Sequence, residues 1–142
     1  MPKKSTLPSI LIVVFIVLVI GVVMLMGRSN APDIVVDRSY PYQICTFDRY
    51  CAGDTCTDST QSVVAYFAYE NGEPRLEVPG MAPQATLRET SDRRVFTSTG
   101  GNVRGSLTIF PDRLIDFTAT EGEAPNVIRH YASGRCQRPY TP

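Results

Sequence analysis

The chain opens with an unbroken apolar stretch and continues as short apolar runs broken by polar positions and turn residues. Residues 7–27 read LPSILIVVFIVLVIGVVMLMG, and every position from 10 to 26 is apolar. As a helix these positions reach roughly 31 Å, which matches a hydrocarbon core of about 30 Å. One transmembrane helix is therefore expected at 7–27, a retained anchor in the lipid bilayer. A cleaved signal is the competing reading, but the run exceeds a usual h-region of about 7–15 residues, and the small-residue candidate Ser29-Asn30-Ala31 is followed by Pro32. Lys3 and Lys4 precede the run and Arg28 follows it, a bias that keeps residues 1–6 on the cytoplasmic side. The expected location is the bacterial inner membrane, single-pass, with the C-terminal part in the periplasm. The run has no ionisable side chain that would mark a proton path. Gly21 offers the face on which a helix of another membrane subunit packs closely.

Residues 28–41 predict a polar linker around Pro32, followed by the short extended segment Ile34-Val35-Val36. Residues 42–138 form the expected exported domain. A first strand is predicted at 43–47, and then DRYCAGDTCTDSTQ at 48–61 reads as an irregular polar loop. The run VVAYFAYE at 63–70 is apolar on both faces and predicts a central strand. Asn71-Gly72 supplies the positive φ angles of a tight hairpin, and 74–78 returns. A second hairpin is expected from 84–90 and 93–99, and Gly100-Gly101-Asn102 marks the next turn. In 103–110, Val103, Gly105, Leu107 and Ile109 share one face while Arg104, Ser106 and Thr108 share the other. Pro111-Asp112 presets a turn; Ile115, Phe117 and Ala119 then alternate with Asp116 and Thr118. A last strand at 127–133 precedes Gly134 and Cys136, and 139–142 reads as a loose tail. The fold class is a single transmembrane α-helix followed by an all-β domain. Its architecture is a small antiparallel up-and-down barrel or sandwich of about seven or eight strands.

Cysteine content adds covalent ties. Cys45, Cys51, Cys56 and Cys136 all follow the anchor, and an even number in an exported domain reads as two disulfides. Of three pairings, the preferred one joins Cys51 to Cys56 across CAGDTC, and Cys45 to Cys136 from first strand to last. From residue 31 onward eleven arginines stand against fourteen acids, a net charge of −3. Such a domain does not present the concentrated positive surface that nucleic acid requires.

Candidate chemistry is sparse. His130 is the one histidine, on the strand face of Ile128 and Ala132, with no GxSxG elbow to serve; a packed strand position is its expected role. Asp48, Asp54 and Asp58 miss the EF-hand spacing, and Cys51 and Cys56 miss the CxxC spacing. The glycines at 100, 101 and 105 match no phosphate cradle. No catalytic residue, metal or cofactor is expected. Arg88, Arg93 and Arg94 make a local basic patch able to grip a partner's carboxylate, diluted by Glu89 and Asp92. Tyrosines suit protein interfaces; Tyr66 and Tyr69 fall on opposite faces of 63–70, one of which is expected to dock a partner or line a barrel cavity.

Two functions follow as expectations. The first is a non-catalytic accessory or assembly subunit of an inner-membrane complex, docking on integral membrane protein subunits through Gly21 and the β domain. The second is a tethered lipocalin-like module that binds an apolar ligand or blocks an exported protease.

Overall fold

The alternation in residues 103–121 carries over directly into a curved antiparallel sheet, because each apolar position turns to one side and each polar position to the other. The computed structural model describes residues 34–98 and 100–142. The expected anchor at 7–27 with Gly21, residues 1–6 and the linker through residue 33 lie outside the described residues. Among the described residues there are nine strands: β1 (Tyr42–Ala52), β2 (Thr55–Asp58), β3 (Ser62–Tyr66), β4 (Arg75–Glu77), β5 (Thr86–Glu89), β6 (Arg94–Ser98), β7 (Val103–Ile109), β8 (Leu114–Glu121) and β9 (Ile128–Cys136).

All pairings are antiparallel, and the strand order is β4-β3-β1-β9-β8-β7-β6-β5, with β2 paired to β1 outside this path. The first strand thus lies beside the last. Between β4 and β5 the ring is held by the Arg75–Gln84 bridge and by the Leu76 N–H donating to the Pro83 carbonyl at 2.9 Å. The result is a nearly closed up-and-down barrel rather than a sandwich. Both disulfides are formed, Cys45–Cys136 across the β1–β9 closure and Cys51–Cys56 across the β1–β2 hairpin.

The barrel axis is filled. Phe47, Phe96, Leu107, Ile115 and Phe117 are at most 3% exposed and belong to one apolar cluster with the Cys45–Cys136 bridge. Each such side chain contributes about 2 kcal/mol by leaving water. Backbone crowding matters at Gly134: a Cβ there would fall on the Thr46 carbonyl oxygen and lie 2.8 Å from the Phe47 Cα. This approach coincides with a one-residue shift in the β1–β9 register between Phe47 and Arg49. Asp48 is the extra residue, a bulge that re-aims the far half of β1.

The structure corrects four local readings. The stretch expected to be an irregular loop at 48–61 continues β1 to Ala52 and adds β2 after the two-residue turn Gly53-Asp54. β2 is exposed throughout, so no apolar alternation announced it. The central strand ends at Tyr66 rather than at residue 70. Asn71 and Gly72 do take positive φ, 61° and 78°, but at the tip of an eight-residue loop, since Tyr66 pairs with Arg75. Within the expected linker, residues 34–41 lie against the barrel: the Asp37 N–H donates to the Tyr66 hydroxyl at 2.9 Å, strapping this segment over the outer face of β3. The tail is not loose, because Tyr140 and Tyr42 exchange backbone hydrogen bonds of 2.8 and 3.1 Å.

Candidate functional site

At the end of the barrel where β1 begins, the β5–β6 and β7–β8 turns bring arginines together. Thr90 donates its N–H to the Arg93 carbonyl at 2.9 Å, closing the β5–β6 turn. The β7–β8 turn places Arg113 at φ 69°, a left-handed conformation that a non-glycine residue adopts at some cost, with its N–H donating to the Phe110 carbonyl at 2.9 Å. Arg93, Arg94 and Arg113 line a recess of about 340 Å³ whose apolar walls include Ile109, Phe110 and Pro139.

Gln43 also lines this recess and is 1% exposed. Its amide nitrogen donates to the Gln137 carbonyl at 2.7 Å, which fixes the amide's orientation, and its Oε1 has no hydrogen-bond partner among the described residues. A buried acceptor without a partner is costly. Around it the guanidinium groups are held loosely. Arg93 pairs with Asp92 at 2.6 Å and Arg94 with Glu89 at 2.6 Å, but all four side chains are 42–59% exposed. Exposed pairs of this kind contribute about 0–1 kcal/mol, so an incoming carboxylate exchanges for Asp92 or Glu89 at small cost. Arg93 holds the Asp92 carboxyl down to about 2, first through its hydrogen bond, with Thr90 adding a second.

The structure separates Arg88 from this group. It lies opposite Val95 on the outer side of β5, while Leu87, its neighbour, faces Phe96 in the interior. Arg113, which joins Arg93 and Arg94 instead, was missed in the sequence because the turn conformation that aims it is not a composition signal.

Tyr66 and Tyr69 are brought together rather than held apart. Their rings lie 4.9 Å from each other, and Tyr69 lies 4.4 Å from Tyr40. Tyr42 extends the cluster from Tyr66 to Tyr140. Tyr66 is 1% exposed, so its ring is occupied in fastening the strap. Its hydroxyl pKa is raised, first by burial, with the Asp37 N–H working the other way.

At the opposite end of the barrel, the β1–β9 pairing sets Ala52 against His130. The Tyr50 hydroxyl lies 2.6 Å from His130 Nδ1, and His130 Nε2 lies 3.0 Å from Glu121 Oε2. A carboxylate only accepts, so Nε2–H donates to Glu121, and in the neutral ring Nδ1 accepts from the Tyr50 hydroxyl. Both ring nitrogens are satisfied. Burial first, and then the charge of Glu121, push the Tyr50 pKa up, the direction opposite to that of an activated nucleophile. The recess beside this chain measures about 160 Å³, below the roughly 300 Å³ at which drug-sized ligand pockets begin.

Among the described residues no group of three or more His, Cys, Asp or Glu side chains suited to a metal occurs. Comparison with protein-family models, with curated proteins and with solved structures yields no match to this chain.

Proposed function

We propose that this chain is a non-catalytic, membrane-tethered binding module, an accessory subunit that docks on a larger membrane-protein assembly through the arginine-lined end of its barrel. The apolar run at 7–27 is the tether. The N-terminus lies in the cytoplasm, and the two disulfides fit a domain held in the oxidising periplasm.

The observation that carries this reading is the recess formed by Arg93, Arg94, Arg113 and Gln43. Its exchangeable guanidinium groups suit a carboxylate on a partner, bound through paired N–H donors. The apolar walls receive the flanking aliphatic part. A peptide segment supplies both. Occupation of the barrel axis by Phe47, Phe96 and Leu107 favours this reading over a carried apolar ligand.

The test is a mild-detergent pull-down of the tagged full chain from its native membranes, followed by mass spectrometry, alongside R93A/R94A and a version whose tether is exchanged for a cleavable signal. A stoichiometric set of membrane subunits, lost from R93A/R94A, supports the reading. Recovery of the chain alone refutes it, and retention of partners by R93A/R94A refutes the assigned surface.

A further inference from the structure

The outer face of β7, β8 and β9 carries a second constellation, independent of the arginine-lined end. Register places Arg104 opposite Thr120 and Thr120 opposite Arg129, so two arginines bracket one hydroxyl across three strands. One step along the strands, Ser106 faces Thr118 and Thr118 faces Tyr131. These six side chains point outward, since the positions between them, Gly105, Ala119 and His130, turn to the barrel interior. They line one open groove of about 520 Å³. Beneath it β7 and β8 crowd together: a Cβ at Gly105 would lie 2.5 Å from the Thr118 carbonyl oxygen. A second groove of about 330 Å³ runs along the other side of Tyr131, leaving that ring, 46% exposed, as a ridge between the two.

Neither Arg104 nor Arg129 has an ion-pair partner among the described residues. Glu121, next to Thr120 in sequence, turns inward and accepts from His130. The nearest acid on the outer face of β8, Asp116, lies opposite Thr108 and Ser133, two side-chain rows away. The bracket is therefore locally positive on a domain whose net charge is −3.

Three features of this patch select an occupant. Strands spaced about 4.8 Å apart put the two arginine backbones roughly 10 Å from each other, with Thr120 midway, close enough for both forks to converge on a single anionic group. The adjoining hydroxyls of Ser106 and Thr118 donate and accept, matching a ligand dense in hydroxyls. Tyr131 offers one flat ring, amphipathic at its edge. A protein partner would require an apolar patch centre, and here the middle of the groove is held by arginine, serine and threonine side chains, with Tyr131 the one aromatic ring lining it. A nucleic acid, with a phosphate at every residue, would require far more than two arginines. We infer that this face binds an acidic polysaccharide: Arg104 and Arg129 grip the carboxylate of one sugar over Thr120, and the neighbouring sugar lies on Tyr131 against Ser106 and Thr118.

The experiment is calorimetric titration of the detergent-solubilised full chain with three acidic hexasaccharides (oligogalacturonate, oligomannuronate and hyaluronan). The methyl ester of each, a neutral cellohexaose and a poly-glutamate peptide serve as comparators. At least one acidic hexasaccharide is expected to bind, and its methyl ester to bind at least about tenfold more weakly, the scale of a lost bidentate charge pair. R104Q, R129Q and Y131A should each weaken binding by about tenfold, while R104K retains part of it because it keeps the charge and loses the fork. R88Q, on the outer side of β5, should bind as the native chain does. Unchanged thermal unfolding of each variant shows that the barrel is intact. Failure of all three acidic hexasaccharides to bind overturns the inference. Equal binding of acid and methyl ester overturns it as well, and poly-glutamate binding as tightly as the sugars reassigns the face to an acidic peptide. The pull-down on R93A/R94A reads the other surface, so failure of one proposal is distinguishable from failure of the other.

Discussion

Breaking the Cys45–Cys136 bridge should cost about twice as much stability as breaking Cys51–Cys56, and the reason lies in what each bridge encloses. The first spans a sequence separation of 91 and the second a separation of 5. In the chain-entropy relation the longer loop removes roughly 4.6 kcal/mol from the unfolded chain and the shorter one roughly 2 kcal/mol. The unit from Ile34 to Pro142 contains 142 − 34 + 1 = 109 residues. At about 2.1 cal/mol/K of unfolding entropy per residue, 4.6 kcal/mol corresponds to a fall in Tm of about 20 °C. To read the cross-link without carving the core, C51A/C56A is compared oxidised and reduced, so that one bridge opens and no buried atom is removed. C45A/C136A, treated the same way, reports the other bridge. Urea unfolding of the detergent-solubilised full chain is followed by tyrosine fluorescence, since the chain has no tryptophan. Reduction of the long bridge should also raise the slope against urea, because the freed chain exposes more surface. Equal losses from the two reductions, or a larger loss from the short loop, would refute the view that the long bridge acts by restricting the unfolded chain.

Three further outcomes are expected. Gly134→Ala, whose Cβ would meet the Thr46 carbonyl and the Phe47 backbone, should destabilise by about 3 kcal/mol, while Ser133→Ala next to it on the outer face should stay within about 0.5 kcal/mol; urea midpoints decide. Tyr50 holds its proton more tightly when folded, so its contribution is complete below the unfolded value of about 10 and is lost as pH rises through the folded one. Tyr50→Phe should make the fall of Tm above pH 10 shallower, with Tyr66, also raised, keeping part of it; an unchanged alkaline slope would contradict this. Asp92, lowered to about 2, contributes above the unfolded value of about 3.9 and loses that contribution as pH falls towards 2. Carboxyl chemical shifts should titrate accordingly, and Arg93→Gln should move Asp92 back up.

The barrel was legible in the sequence where one face is solvated. Ile115, Phe117 and Ala119 alternate with Asp116, Thr118 and Thr120, and the structure buries the first set and exposes the second. β2 was not legible, because a ribbon wet on both faces has no apolar period to display. The strap over Tyr66 was likewise hidden: Val64 and Tyr66 are buried on the outer side of β3 by residues that precede the barrel, and double burial reads equally well as an interior strand. The arginine recess was half visible. Arg93 and Arg94 stood out, whereas Arg113 depends on a left-handed turn residue. The Arg104–Thr120–Arg129 row had a signal that was not used. Counting outward from Asp112, the middle of the three-residue turn 111–113, pairs 104 with 120, and centring the next turn in 122–127 pairs 120 with 129.

That the first strand closes against the last also sets the order in which this molecule is made. A chain emerging N-terminus first releases Cys45, Cys51 and Cys56 together, long before Cys136. A two-residue hairpin forms in about 1–10 μs, whereas thiols oxidise over seconds or longer. The β1–β2 turn therefore draws Cys51 and Cys56 to each other first and leaves Cys45 the one thiol in waiting. Until β9 arrives, β1 has a bare edge on that side, and a stalled or truncated chain keeps both the edge and the thiol. Such a chain would be the natural substrate of a disulfide isomerase or a protease, and the completed barrel, with no free cysteine among the described residues, would be invisible to both.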